Sequence, residues 1–191
     1  MRRSYSMSSV QGAADRAVAL ARQYLRARHD GSQVHDVQRD PRFQHRGVDL
    51  LWQRPGAQVA GVEVKGDRQS RRRNYFFELV SNFEKNTPGC FLYSTADVLL
   101  YVFLEPRELH HLPMPATRTW FLARSREFPL KTTRTRMGPH FYTTIGAVVP
   151  VREVLLGVPG ALRFRIGEGG EVRPMLGQTV GLRRPSSTRR A

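Results

Sequence analysis

Residues 59–67 constrain the fold of this 191-residue chain more than any other stretch. Their valines are strong β-formers and glycines bound them, which predicts a buried strand. Glu63 and Lys65 lie two residues apart on it, so both side chains point to one face while Val62 and Val64 point to the other. Burying a charge is costly unless it is paired or binds a metal. The two charged residues therefore indicate a functional site.

A second predicted strand, Gly47–Trp52, comes just before this one and carries a single acid, Asp49. The intervening segment contains Pro55-Gly56, which favours a turn between antiparallel strands. A hairpin of this kind would bring Asp49 close to Glu63 and Lys65. Two carboxylates can hold Mg²⁺, which keeps several waters and accepts phosphate oxygens. The spacing thus predicts a phosphodiester-cleaving site.

The pattern of Asp49 followed by Glu63-Val64-Lys65 resembles the motif of the PD-(D/E)XK nuclease superfamily, which includes small phage, plasmid, restriction and resolvase-like nucleases. Val48 stands where the motif name has proline. The resemblance covers residues 34–113, including the lead-in 44–50 and the segments 74–81 and 87–89. It implies an α/β fold with a mixed central β-sheet flanked by helices, in a restriction-endonuclease-like core.

The resemblance also implies site roles and a cofactor, Mg²⁺ or Mn²⁺. Asp49, Glu63 and the backbone carbonyl of Val64 would be metal ligands, and Lys65 would position or activate the attacking water. Glu78, an acid on an apolar strand, would extend the metal shell or orient Lys65, and Gln44 is a second accessory candidate. Family members often carry a further acid on the first helix, where this chain offers only Asp15 or the amide of Gln23.

The charge of the chain indicates a polyanionic partner. Lysine and arginine number 31 against 16 acidic residues, a net charge of +15, and only three of the 31 are lysines. Such a balance is typical of proteins that bind nucleic acid. We expect DNA as the partner, with RNA not excluded and a homodimer compatible with double-strand cutting. Phosphate contacts are expected from exposed arginines, namely Arg68, Arg71, Arg72, Arg73, Arg134 and Arg136.

The pattern along the chain predicts one domain at residues 9–166, a flexible segment at 1–8 and a basic, disordered tail at 167–191. Apolar residues at helical spacing predict a first helix that ends near Arg28, and later helices at 114–126 and 151–156. Strands are expected at 32–37, 75–80, 96–104, 107–112, 141–149 and 161–166. The threonine- and arginine-rich segment 131–140 is predicted to be an exposed loop.

Other classes of protein find little support. The single cysteine, Cys90, excludes an internal disulfide and indicates a reducing, cytoplasmic setting. No G-x-S-x-G elbow, P-loop or membrane-length apolar run is present. His110 and His111 are adjacent, so they would face opposite sides of a strand and are interpreted as structural. Two alternatives stay open: a non-catalytic, arginine-rich nucleic-acid-binding protein on a degenerate nuclease fold, and an RNA-binding protein without nuclease ancestry.

Overall fold

Two mixed β-sheets and five α-helices make up the part of the chain that this computed structural model describes, residues 4–68, 73–105 and 107–175. The mixed α/β class expected from the sequence is confirmed. The helices are α1 (Met7–Arg28), α2 (Pro41–Gln44), α3 (Cys90–Tyr93), α4 (Met114–Arg124) and α5 (Val151–Gly157). The strands are β1 (Ser4–Ser6), β2 (Gln33–Asp36), β3 (Leu50–Gln53), β4 (Ala60–Asp67), β5 (Asn74–Asn82), β6 (Thr87–Pro88), β7 (Val98–Phe103), β8 (Glu108–Pro113), β9 (Leu130–Met137), β10 (His140–Pro150), β11 (Leu162–Ile166) and β12 (Val172–Pro174).

The seven-stranded sheet has the order β12-β11-β8-β7-β4-β3-β2. Its first three strands in the chain, β2, β3 and β4, form an antiparallel meander, and β7 then pairs parallel with β4. The predicted hairpin between β3 and β4 is confirmed, with Leu50 opposite Val62. β4 lies inside the sheet between β3 and β7. Its valines and its charged residues alternate, so they face opposite sides of the sheet and two different environments.

Helix α1 covers the face of this sheet that carries Val62 and Val64. A stripe of small residues on the helix makes the contact close, because a Cβ added at Gly66 would lie 2.8 Å from Cβ of Ala17. The stripe fits the helical spacing of the apolar residues and leaves the arginines of α1 on its outer side. One face of the sheet is therefore covered mainly by apolar packing, to which Tyr24 of α1 adds a hydrogen bond with Nδ1 of His111 at 3.0 Å.

The opposite face of the seven-stranded sheet packs against a second sheet of five strands, ordered β1-β9-β10-β5-β6, and against α3, α4 and α5. Aromatic rings dominate this second core, including Tyr75 and Phe77 of β5 and Tyr101 of β7. All six residues of β7 are buried, since both faces of that strand are covered. Glu63 and Lys65 belong to this second face and thus lie between the sheets.

The predicted loop at 131–140 was wrong, and the structure adds detail to three other expectations. The expected mixed central sheet is the seven-stranded sheet, and a second sheet of five strands packs against it. The predicted loop at 131–140 is mostly strand β9, which pairs antiparallel with β10. Within the segment 1–8, β1 pairs parallel with β9 and α1 begins at Met7. The domain also extends past residue 166, because β12 pairs with β11, while residues 176–191 of the predicted tail lie outside the described residues.

Gly66→Ala is expected to lower the free energy of unfolding by about 1–3 kcal/mol, because its methyl group would force α1 away from β4. Gly61→Ala on the same strand is the matched control, since its methyl group would meet Val48 at an ordinary 3.4 Å. Urea denaturation followed by circular dichroism measures both variants. Equal loss of stability in the two variants would contradict the close helix–strand contact.

Candidate functional site

The β3–β4 hairpin fixes the carboxylate of Asp49 against β4. Asp49 directly precedes β3, and its backbone N–H donates to the carbonyl of Val62 at 2.8 Å. Its Oδ2 accepts a hydrogen bond from the backbone N–H of Val64 at 2.7 Å. This carboxylate is therefore held beside residues 63–65 by the sheet backbone itself.

The Glu63 carboxylate lies in a buried position beneath the turn that leads into β3. The residue is 8% exposed, and its Oε2 has no hydrogen-bond partner within the described part of the chain. A Cβ at Gly47 would lie 2.9 Å from that oxygen, and Gly47 has a φ of +58°. Glycine is therefore needed at this position for the backbone conformation and for the space that the carboxylate occupies.

Burial, and to a smaller extent the nearby charge of Asp49, raise the pKa of Glu63 to about 7, against the lowering effects of Cys90, Lys65 and Ser94. Burial also raises the pKa of Asp49 above its ordinary value, against the hydrogen bond from Val64 and the charge of Lys65. Two carboxylates that each disfavour the other's ionisation form a site that a cation would stabilise.

Lys65 is paired with Glu78, which comes from the other sheet. Its Nζ lies 2.9 Å from Oε2 of Glu78, and the hydroxyl of Ser81 donates to the other carboxylate oxygen at 2.7 Å. Burial alone would raise the pKa of Glu78 and lower that of Lys65, but the pair reverses both directions. These contacts agree with the second of the two roles expected for Glu78, the orientation of Lys65, which stays a prediction.

The charged groups at the site border a small cavity between the two sheets. Glu63, Lys65 and Glu78 line it together with Cys90 and a wall of aromatic rings. The space inside amounts to about 10 Å³, which is close to what one water molecule needs. The cavity can therefore hold a water or an ion, whereas anything larger has to approach from outside.

Helix α3 and the residues after it form a cover over Glu63 that the sequence patterns did not reveal. The hydroxyl of Ser94 donates to the carbonyl of Gly47 at 2.7 Å, and the N–H of Thr95 donates to the carbonyl of Arg46 at 2.8 Å. Arg118 of α4 donates to the carbonyl of Ser94 at 2.5 Å and also to that of Phe91. We call residues 46–47 and 94–95 the cover segments.

The close approach of α3 to β5 depends on Gly89. A Cβ at this position would lie 2.1 Å from the carbonyl oxygen of Glu78. A glycine before a short apolar segment was the only sequence signal for this contact. The helix carrying Cys90 is consequently fixed against the strand that carries Glu78.

Other residues proposed from the sequence lie apart from these groups. Gln44 is exposed, and its side-chain amide donates to the carbonyl of Gln38 at 2.6 Å. Asp15 is exposed and accepts from Gln11, on the helix that covers the opposite face of the sheet. Gln23 lies against the chain at Gly170. The contacts described for these three side chains are thus with segments outside the candidate site, and their roles stay predictions.

The arginines proposed for phosphate contacts occupy several surfaces. Arg68 and Arg73 are exposed on either side of residues 69–72, which include Arg71 and Arg72 and lie outside the described residues. Arg134 and Arg136 are exposed on β9, and the guanidinium of Arg134 lies 4.9 Å from the ring centre of Phe141. The β9 pair is therefore held on a regular strand instead of a loop.

His110 belongs to a buried network and not to the candidate site, as interpreted from the sequence. Its Nδ1 is 2.5 Å from the hydroxyl of Tyr75, and its Nε2 is 2.9 Å from Glu108. Arg163 donates to the same oxygen of Glu108. Burial lowers the pKa of His110, so the ring is neutral and links the two sheets through hydrogen bonds.

Comparison with known proteins adds no identification. No family model, curated protein or solved structure matches the chain. Over the ranges that the structure describes, no group of three or more His, Cys, Asp or Glu side chains is arranged to hold a metal ion. No helix in those same ranges is long and apolar enough to cross a membrane.

Glu63→Gln is expected to make the protein more stable than the wild type at pH 8 in EDTA, by roughly 3 kcal/mol. The raised pKa means that the protonated form stabilises the fold fully below about pH 4.5, and that this contribution is lost as pH rises towards about 7. The glutamine amide does not ionise, so the variant keeps this stabilising contribution at high pH. Urea denaturation at pH 4.5 and pH 8 measures the difference, which should be small at the lower pH. A pH-independent difference would contradict the raised pKa.

Proposed function

We propose that this protein is a Mg²⁺- or Mn²⁺-dependent nuclease that hydrolyses phosphodiester bonds in DNA. The observation that carries the proposal is the buried carboxylate of Glu63, which has an unpartnered oxygen in the described residues and lies beside a second carboxylate, Asp49. Such a pair is unfavourable on its own and becomes favourable when it shares a divalent cation.

The order of elements supports a restriction-endonuclease-like core. Helix α1 is followed by the meander β2–β3–β4, and β7 returns parallel beside β4. The two acids and the lysine all come from the central hairpin of this unit, which agrees with the motif resemblance. The five-stranded sheet then supplies Glu78 from outside the meander.

The available oxygen atoms fit one hard cation. Asp49 and Glu63 offer two carboxylates, and the carbonyl of Val64 lies on the edge of β4 that faces Asp49, because the carbonyl of Val62 accepts from Asp49 on that edge. Mg²⁺ commonly takes one or two carboxylates and keeps several waters. When bound, such an ion polarises a phosphate oxygen and lowers the pKa of a bound water.

Lys65 would act as a charged donor. The ion pair with Glu78 raises its pKa, so its ammonium group keeps its proton at neutral pH. A general base needs a pKa near the working pH, and Lys65 is far from it. Of the two roles expected from the resemblance, we retain water positioning and give up water activation by proton removal. The same charged group can also stabilise negative charge in the transition state.

A non-catalytic nucleic-acid-binding protein on a degenerate nuclease fold is the second candidate. It is favoured by the neutralisation of Lys65 by Glu78. Incubation with linear, circular, single-stranded and branched DNA in Mg²⁺, Mn²⁺ or EDTA separates the candidates. Metal-dependent products support the nuclease, whereas binding without products in every condition supports the second candidate.

Lys65→Ala and Glu63→Ala are expected to lose cleavage for different reasons. The lysine variant should cleave about 10²–10³-fold more slowly while binding Mn²⁺ normally, because one transition-state contact is lost. The glutamate variant should bind metal more weakly, so excess Mn²⁺ restores part of its activity. Lys65→Arg should stay slow, because guanidinium is a larger planar fork. Calorimetry of metal binding beside a cleavage assay separates these effects.

Lys85→Ala is the matched control for these variants, since Lys85 is exposed on the turn after β5. It should cleave and bind Mn²⁺ as the wild type does. Full cleavage by Lys65→Ala at saturating Mg²⁺ would remove the lysine from the mechanism. Circular dichroism establishes that each variant is folded.

DNA affinity is expected to fall steeply with salt, by orders of magnitude between 50 and 200 mM if several phosphates are contacted. The net charge of +15 and the exposed arginines of β9 motivate this expectation. Replacing Arg134 and Arg136 together with alanine should reduce the slope of log K against log salt by about 2. Fluorescence anisotropy in EDTA measures DNA affinity at each salt concentration, with Arg165→Ala on the other sheet as the control variant. A flat salt response would exclude electrostatic binding.

A further inference from the structure

Tyr93 is an exposed aromatic residue at the edge of the candidate site. It ends helix α3, whose first residue, Cys90, lines the cavity, and it precedes Ser94, whose hydroxyl bonds to the Gly47 carbonyl beside Glu63. Cys90 and Tyr93 are three residues apart in a single helical turn, so their side chains lie on the same side of it. Tyr93 itself is 41% exposed. Its ring is therefore open to a strand that approaches the candidate site.

The turn that carries Tyr93 is rigidly held. Phe91 stacks on Phe77 with ring centres 4.1 Å apart, which anchors the middle of α3 in the aromatic core. At its end, Arg118 donates to the carbonyls of Phe91 and Ser94. Gly89 fixes its beginning against β5. A ring presented on a fixed backbone loses little conformational freedom on binding.

The surroundings of Tyr93 favour a nucleic-acid strand as the occupant. Burial raises the pKa of the Tyr93 phenol, and Cys90, Glu63, Glu78 and Asp49 raise it further, which agrees with a position next to the site. The phenol is therefore uncharged at neutral pH. Arg46, exposed in the cover segments beside Ser94 and Thr95, supplies a cation on the same rim for phosphate.

We propose that the ring of Tyr93 stacks on an unpaired nucleobase and holds a single-stranded segment at the site. The inference rests on the proposed nucleic-acid substrate and specifies that the strand is unpaired where it meets the protein. Base–aromatic stacking tolerates every base, because each presents a π-face. Tyr93 would thus fix the position of the backbone relative to Glu63 and Lys65 without reading sequence.

The test uses the full chain in EDTA, with single-stranded oligonucleotides that carry 2-aminopurine at successive positions. Stacking on the ring quenches the fluorescence of this base. We expect quenching at one or two positions in the wild type, retention in Tyr93→Phe, and loss in Tyr93→Ala. The alanine variant should also bind roughly tenfold or more weakly, as expected for one stacked base.

Two control variants separate stacking from general effects. Leu92→Ala removes an exposed apolar neighbour on the same turn, and Phe83→Ala removes an exposed ring from the turn after β5. Both should keep the quenching and the affinity. Unchanged binding by Tyr93→Ala would overturn the inference, and so would equal losses in Tyr93→Phe or Phe83→Ala. Quenching of a fully paired duplex in the same Tyr93-dependent way would overturn the unpaired-strand assignment.

Quenching and affinity are measured in EDTA, without cleavage, so a separate cleavage assay with Mg²⁺ or Mn²⁺ distinguishes failure of this inference from failure of the nuclease proposal. Tyr93-dependent quenching together with no metal-dependent products would support strand binding and remove the catalytic function. Metal-dependent products from a Tyr93→Ala variant with unchanged affinity would support the nuclease and remove the stacking role.

Discussion

The ion pair between Lys65 and Glu78 is the interaction on which the architecture of the site depends. It joins the central strand of the seven-stranded sheet to a strand of the five-stranded sheet, in a region otherwise filled by aromatic rings. Removing one partner of such a pair leaves the other charge only partly solvated and without its counter-charge, which destabilises the fold. The packing of the two sheets and the orientation of the lysine are therefore one and the same constraint.

The same interface contains two carboxylates in opposite electrostatic states. Glu78 is satisfied by a lysine and a serine, and its pKa is lowered. Glu63, on the strand with that lysine, is buried beside another acid, and its pKa is raised to about 7. Both residues are glutamates, so the environment and not the residue type decides whether the pKa is raised or lowered. Glu78 already has a cationic partner, whereas Glu63 and Asp49 form the pair of carboxylates that a bound cation would stabilise.

The parts of the fold and site that sequence could predict are those set by local patterns. Alternation along residues 59–67 gave the faces of Glu63 and Lys65, and the Pro-Gly turn gave the hairpin with Asp49. Strand β9 was missed because its β-branched threonines alternate with arginines, which resemble an exposed basic loop when burial is unknown. Two-sheet packing likewise has no local signature.

Contacts between distant segments account for the remaining differences. Ser94 bonds to the chain 47 positions earlier, and Arg118 reaches a carbonyl 24 positions earlier. Neither residue belongs to a motif, so no spacing rule could select them. Gln44 shows the converse, because a motif position alone suggested a role while its amide bonds to Gln38.

The close contact between Gly89 and the backbone of β5 limits how the cavity can open. Because a side chain cannot fit between them, α3 and the strand with Glu78 have to move as one body. At the opposite boundary, between residues 46–47 and residues 94–95, hydrogen bonds run from Ser94 and Thr95 to backbone carbonyls. Such bonds are exchangeable with water at small net cost. Local opening that admits solvent to Glu63 should thus separate residues 46–47 from residues 94–95, and residues 46–47 are the part that moves.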